Sequence, residues 1–192
     1  SMSFHQNKPG EIFNEEINYL NSAVKDARHE YHLFSIATLN DRTPEIRTVV
    51  LRGFDTKKYQ LSFHTDTRSP KHDQVKVNPG ISALFYDTQK RTQIRINGNA
   101  EICKDQKLLE ELWSNLNKDS KECYQGEIPP SGNIPNSKVI NDTSTNTDGF
   151  ENFSRVSINI SRIEVLRLHH LGHKRLLCDV SKDPINFQWI AS

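Results

Sequence analysis

The sequence predicts a mainly β fold: an antiparallel sheet closed or nearly closed into a barrel, with a few helices at its periphery. Three observations carry this. Runs rich in β-branched and aromatic residues recur six or seven times along the chain. The early runs are joined by connections far shorter than the dozen or so residues a parallel crossover needs. Two later runs, near 92–102 and 154–168, are long and alternate apolar with polar residues, as strands with one buried face do.

The elements follow in order. From Ile12 to Arg28 the residues Phe13, Ile17, Leu20, Val24 and Ala27 recur at helical steps, which predicts an amphipathic helix with one face on the core. Residues 31–39 read as a first strand, and Asn40 to Pro44 as a turn. A second strand covers 45–54 and a third 59–64. Ser69-Pro70 opens a short helix, with Ser69 suited to the N-cap and Pro70 to the first helical position. Asn78-Pro79-Gly80 ends it. Strand four, Ile81 to Tyr86, is apolar on both faces. Strand five places Ile94, Ile96, Gly98 and Ala100 on one side and Gln93, Arg95, Asn97, Asn99 and Glu101 on the other. That polar face suits solvent, a subunit interface or a polar ligand. Asp105 caps a second amphipathic helix, in which Trp113 belongs to the core stripe. Residues 117–149 are dominated by Gly, Pro, Ser, Asn and Asp and read as one long loop. A strand over 154–168 and another over 175–180 finish the set.

The whole reads as a single domain over 1–192. A net charge of +1, from 25 basic and 24 acidic residues, speaks against nucleic-acid binding by bulk charge. Cys103, Cys123 and Cys178 are too far apart for a zinc ribbon, and a reducing, cytoplasmic setting is the expectation. No apolar run reaches membrane-spanning length.

The segments with chemical promise are Arg47-Thr48-Val49-Val50-Leu51-Arg52 and the stretch from Phe63 to Lys71. Arg47 and Arg52 are an odd number of residues apart and so face opposite ways in a regular strand. Free N–H groups at the Ser69 helix start, with Thr65, Thr67, Arg68 and Lys71 close by, form an anion site to which a phosphate is well suited. His169, His170 and His173 sit in a basic turn without a carboxylate, and no metal site is expected there. No nucleophile–base pair stands out, so a cofactor is expected to carry any reaction.

These residues, in this order, resemble the FMN-binding core of the pyridoxamine 5'-phosphate oxidase superfamily. The resemblance rests on Arg47 to Arg52, Phe63-His64-Thr65, Ser69-Pro70-Lys71, Asn78-Pro79-Gly80 and Gln93, and covers about residues 12–105. It implies a split β-barrel that dimerises and binds FMN in clefts between subunits. By position, Arg47 and Lys71 resemble the phosphate-binding residues, while His64, Thr65 and Gln93 stand near the flavin ring. Arg52 stands where a lysine lies near flavin and substrate. Thr48, Val49, Val50 and Ser69 complete the implied cofactor set. Towards the C-terminus the pattern departs: Leu177 and Asp179 replace a histidine and an arginine that hold the vitamin B6 phosphate, and only Arg175 remains. The resemblance therefore implies an FMN-binding oxidoreductase homodimer acting on a substrate other than pyridoxamine 5'-phosphate; general flavin chemistry, rather than the resemblance, offers NAD(P)H as a candidate electron donor. A non-catalytic flavin or haem carrier of the same fold is the alternative.

Overall fold

The computed structural model describes residues 8–135, 148–170 and 172–191. The loop predicted over 117–149 therefore lies partly outside the described residues. Helix α1, Pro9–Ser22, buries Ile12, Phe13, Ile17 and Leu20 against the sheet. It stops earlier than its periodicity suggests. Val24 and Ala27 fall in turns instead, and the ring Nδ1 of His32 lies 2.7 Å from the Ala23 carbonyl at the helix end.

Strands β1, Leu33–Asn40, and β2, Thr43–Val50, form a hairpin in unbroken register from Leu33↔Val50 to Asn40↔Thr43. The single strand expected over 45–54 is broken in two. The Leu51 N–H still donates to His32 at 2.8 Å, beside β1, but the Arg52 N–H donates to Ser62 at 2.9 Å. The chain thus changes partners between these two residues, and the short β3, Gly53–Asp55, pairs with β4, Gln60–Asp66.

Helix α2, Pro70–Val77, leads to β5, Gly80–Asp87, and β6, Thr92–Ile102. Helix α3, Gln106–Ser114, is capped by the Asp105 carboxylate, which accepts from the Leu108 N–H at 3.1 Å. A one-turn helix α4, Lys118–Glu122, lies inside the stretch read as loop, started by an Asn117 side-chain cap. Strand β7, Phe153–Arg167, is followed by β8, Lys174–Asp179, and by β9, Asn186–Ala191, which the sequence reading omitted.

The nine strands of the described residues join one antiparallel sheet, seven in the order β2-β1-β5-β6-β7-β4-β3, with β8 branching from β7 and β9 pairing with β8. Its spine is β7: one edge pairs with β6 over 156–167, while the other pairs with β4 over 153–159 and with β8 over 162–167. The sheet is not closed by pairing between β2 and β3. The chain crosses between its two ends at Leu51-Arg52, which is the split in the barrel.

A bulge adds Ser161 to β7 opposite Asn97/Gly98. Gly98 is needed there because a Cβ would come within 2.3 Å of the Asn159 carbonyl oxygen. The bulge keeps both halves of β7 in phase with β6, so Asn97, Asn99 and Glu101 share an outer face with Arg162, Asn159 and Ser157. Phe34, Ile36, Phe63, Phe85, Ile94, Ile96, Ile158 and Val165 fill the inner side.

Candidate functional site

Two groups of basic residues flank the split. The first lies where β1 and β2 meet the start of α2. Arg47 opposes Ile36 in the ladder, so it shares the inner face of the sheet. Its guanidinium donates to the Thr38 hydroxyl at 2.7 Å and to Gln74 Oε1 at 3.0 Å, and meets the Glu45 carboxylate at 3.4 Å. Thr38 in turn donates to Gln74 Oε1 at 2.6 Å, which fixes the arginine from two sides.

Ser69 is the N-cap of α2, yet its hydroxyl makes no bond to the helix it caps. It accepts from the Lys71 ammonium at 3.1 Å. Burial, and then the like charge of Arg47, pull the Lys71 pKa below the usual lysine range, against a weaker pull from Asp66. A half-buried cation beside a second cation, with a neutral hydroxyl as its hydrogen-bond partner, is chemistry that fits an incoming dianion. Arg68 is committed elsewhere: it clasps the buried Asp66 through Nε at 2.9 Å and Nη2 at 2.7 Å, and donates to the Gly126 carbonyl at 2.7 Å.

The second group lies on the outer face. His64 and Arg155 are cross-strand partners on β4 and β7, and Gly53 pairs with Ser62 on the same side. Both ring nitrogens of His64 are buried without a hydrogen-bond partner. Burial first, then the charges of Arg52 and Arg155, push the His64 pKa down to about 3. One edge of the ring packs on Phe153, 4.9 Å away between centroids. Phe153 in turn holds Trp113 and Tyr124, so Trp113 is a packing residue, as its helical spacing implied.

Among the remaining residues singled out from the sequence, Thr65 is buried on β4, Val49 is buried on β2, and Thr48 and Arg52 are exposed. Val50 and Gln93 are half-buried. Gln93 pairs with Tyr86, an odd number of residues from Ala83, which lies in the same ladder row as Ile36 and Arg47. Gln93 and Arg47 therefore occupy opposite faces of one sheet. A single chain brings Arg47, Ser69 and Lys71 together, and Arg52 with His64, but it does not bring Gln93 to Arg47.

Thr38, Glu45 and Gln74 escaped the sequence reading because their link to Arg47 is tertiary. Arg155 carried a faint signal as part of the polar side of an alternating strand. His169 and His170 stack, and the His169 N–H donates to His173 at 3.0 Å. Among the described residues no group of three or more metal-ligating side chains converges.

The pyridoxamine 5'-phosphate oxidase FMN-binding domain model matches residues 15–104, a span that contains every residue of the Arg47–Lys71 cluster. Residues 15–104 are thus similar to this FMN-binding domain. Two relatives named pyridoxine/pyridoxamine 5'-phosphate oxidase show the distance within it. That of Aliarcobacter butzleri is 37% identical over 84 residues, 43% of this chain and 39% of its own. That of Psychrobacter cryohalolentis is 29% identical over 127 residues, 65% of this chain and 57% of its own. The matches thus span about half or less of these relatives.

Solved structures share the fold over nearly the full length. A pyridoxamine 5'-phosphate oxidase-related FMN-binding protein from Nostoc punctiforme superposes with a TM-score of 0.70 at 21% identity, covering 97% of this chain and 98% of its own. PhzG from Burkholderia lata, in complex with tetrahydrophenazine-1-carboxylic acid, gives 0.70 at 14% identity, with 96% and 93% covered. The family's cofactor is FMN, and the donor set around Arg47 and Lys71 fits its phosphate. No helix among the described residues is long and apolar enough to cross a membrane.

Proposed function

We infer that this chain is an FMN-dependent oxidoreductase that works as a homodimer in the cytoplasm, with NAD(P)H as electron donor. The observation that carries the reading is the Arg47–Lys71 couple at the start of α2, two cations held together where a phosphate dianion would relieve their repulsion. Arg47, Ser69 and Lys71 hold that phosphate. The main chain of Thr48, Val49 and Val50, with Arg52, His64 and Thr65 across the split, borders the rest of the cofactor. His64 stays uncharged at neutral pH and can offer a neutral N–H or a lone pair. Bound FMN supplies the redox chemistry, and the protein supplies position and polarity.

The homodimer reading is supported by the two faces of the sheet. The outer face that carries Gln93 also exposes Leu33, Ile46, Leu84 and Tyr86, a set of large apolar residues suited to burial between subunits. A vitamin B6 phosphate is not the proposed substrate. Arg175 is already engaged by Glu164 at 3.2 Å and by the Ala191 carbonyl at 3.1 Å, and Leu177 and Asp179 offer no replacement cation.

The test is an absorbance titration of the purified chain with FMN, followed by anaerobic addition of NADPH. Stoichiometric flavin uptake and bleaching by NADPH are expected, with uptake lost in an Arg47→Ala/Lys71→Ala double variant. Uptake without bleaching leaves a flavin carrier. Unchanged uptake in the double variant rules out the assigned phosphate site.

A further inference from the structure

Away from the split, a recess of about 650 Å³ opens where the start of α1 meets the β3–β4 turn and the β8–β9 turn. Its floor is aromatic. Phe13 lies 5.7 Å from Tyr59 and 5.7 Å from Phe187 between ring centroids, and Ile185 borders the same floor. Its rim is basic. Lys57 and Lys58 come from one turn and Lys182 from the other, all three exposed, against the single carboxylate of Asp183. Among the described residues none of these lysines makes an ion pair. The carboxylates close in sequence are taken by the turns themselves. Asp55 accepts from the Lys57 and Lys58 N–H groups at 3.0 Å each, and Asp179 accepts from the Ser181 N–H at 3.1 Å and from its hydroxyl.

Tyr59 is placed there against its backbone preference. Its φ is 54°, in the left-handed region that bulky side chains rarely enter. Glycine or asparagine at the end of the turn between Asp55 and its ladder partner Gln60 would take that conformation without strain. Tyrosine brings a ring instead, and the ring lines the recess. The recess is also remote from the phosphate cluster. Tyr59 precedes β4 and Ser69 follows it, and seven residues at about 3.3 Å each put the ends of that strand about 20 Å apart.

A recess of this volume suits a small organic ligand. Aromatic side chains take a planar ring in offset-stacked or edge-on contact. Three lysines against one aspartate favour a negative group on that ring, and ammonium groups, being point charges without a fixed fork, hold carboxylate and phosphate alike. We propose that the recess between α1 and the β3–β4 and β8–β9 turns binds a small aromatic acid, its ring on Phe13, Tyr59 and Phe187 and its acidic group among Lys57, Lys58 and Lys182. The site goes beyond the FMN reading and does not rest on it, because it shares no residue with the cofactor cluster.

The probe is anilinonaphthalene sulfonate, an aromatic anion whose fluorescence rises when it leaves water, titrated into the folded chain with naphthoate or naphthol as competitor. One saturable site per chain is expected. Naphthoate should displace the probe, neutral naphthol should do so about tenfold less well, and added salt should weaken binding because the lysines are exposed. A Lys57→Gln/Lys58→Gln/Lys182→Gln variant changes only surface side chains and should fold as the parent does. It should bind the probe about tenfold more weakly, three exposed ion pairs each contributing a modest factor. Tyr59→Gly, which relaxes the backbone and removes the ring, should weaken binding in the same direction. Lys71→Met should bind the probe as the parent does, because that lysine belongs to the phosphate cluster.

No saturable binding, equal displacement by naphthol and naphthoate, or undiminished binding in the triple-lysine variant or in Tyr59→Gly overturns the proposal. Loss of the probe in Lys71→Met overturns it as well, by placing the anion at the start of α2.

Discussion

Replacing Lys71 by Met separates stability from binding more cleanly than any other change in this chain. In the folded protein the ammonium is half-buried, next to Arg47, and bonded at 3.1 Å to the Ser69 hydroxyl. Its pKa lies below that of an unfolded lysine, so the charged form is disfavoured by folding. The sign follows by linkage. The ligand-free protein bears this cost at every pH below the folded pKa, and the cost disappears as pH rises through the folded pKa towards the unfolded one. Methionine keeps the length and removes the charge, so the FMN-free variant should melt at a higher temperature than the parent at neutral pH. Binding moves the other way. A hydrogen bond to a charged group contributes about 1.5–3 kcal/mol, so losing the Lys71–phosphate contact should raise the FMN dissociation constant roughly ten- to hundredfold. Quenching of flavin fluorescence gives the affinity, and thermal melts with and without FMN give the stability. If Lys71→Met lowers the melting temperature of the FMN-free protein while affinity is unchanged, the lysine is a structural residue and the phosphate site lies elsewhere.

Three further outcomes follow from the structure. His64→Phe should flatten the acid limb of the stability curve. The folded imidazole titrates at about 3, against about 6.5 when unfolded, so between those values the unfolded chain binds the extra proton. Stability then falls on acidification by up to about 1.4 kcal/mol per pH unit, and the difference between parent and variant melts isolates the share due to His64. Gly98→Ala should destabilise by about 1–3 kcal/mol or more, as overpacking does, because its Cβ meets the Asn159 carbonyl at 2.3 Å; denaturant unfolding measures it. Burial pushes the Cys178 thiol up to about 12, so alkylation of the native protein at pH 8, read by mass spectrometry, should label exposed Cys123 and spare Cys178.

Much of the local structure was readable in advance. Ser69-Pro70-Lys71 announces both a helix start and the lysine beside it, and the alternation over 92–102 places Gln93 and Arg95 on one face without any tertiary information. The break in the second strand was not readable, because Leu51 and Arg52 look like a continued β run and only their hydrogen bonds to His32 and Ser62 reveal the change of partner. Helix α1 overran in the reading because Val24 and Ala27 keep a helical spacing that the turns at 23–32 do not use. Strand β9 was missed since Asn186–Ala191 is short and takes its place from pairing with β8. At the site, Arg47 was visible, but Thr38 and Gln74 could be tied to it only by the fold. The same holds for Arg155, which lies 91 residues from its ladder partner His64.

The treatment of charge distinguishes the split from the rest of the molecule. Away from it, poorly exposed charges are answered. Glu16, 3% exposed, accepts from Arg167 at 2.6 and 3.0 Å and has Lys90 at 3.8 Å; buried Asp66 holds Arg68. The chain has 24 acidic residues for 25 basic ones, so counter-charges are not in short supply. At the crossing at Leu51-Arg52 like charges also adjoin: Lys71 stands beside Arg47, which shares the Glu45 carboxylate at 3.4 Å, and Arg52 and Arg155 both act on a neutral His64. Burial and these neighbours disfavour the charged forms of Lys71 and His64 in the free protein, and an anion beside Lys71 would offset its share of that cost. The odd spacing of Arg47 and Arg52, one before the chain changes partner and one after it, puts one basic group on each face.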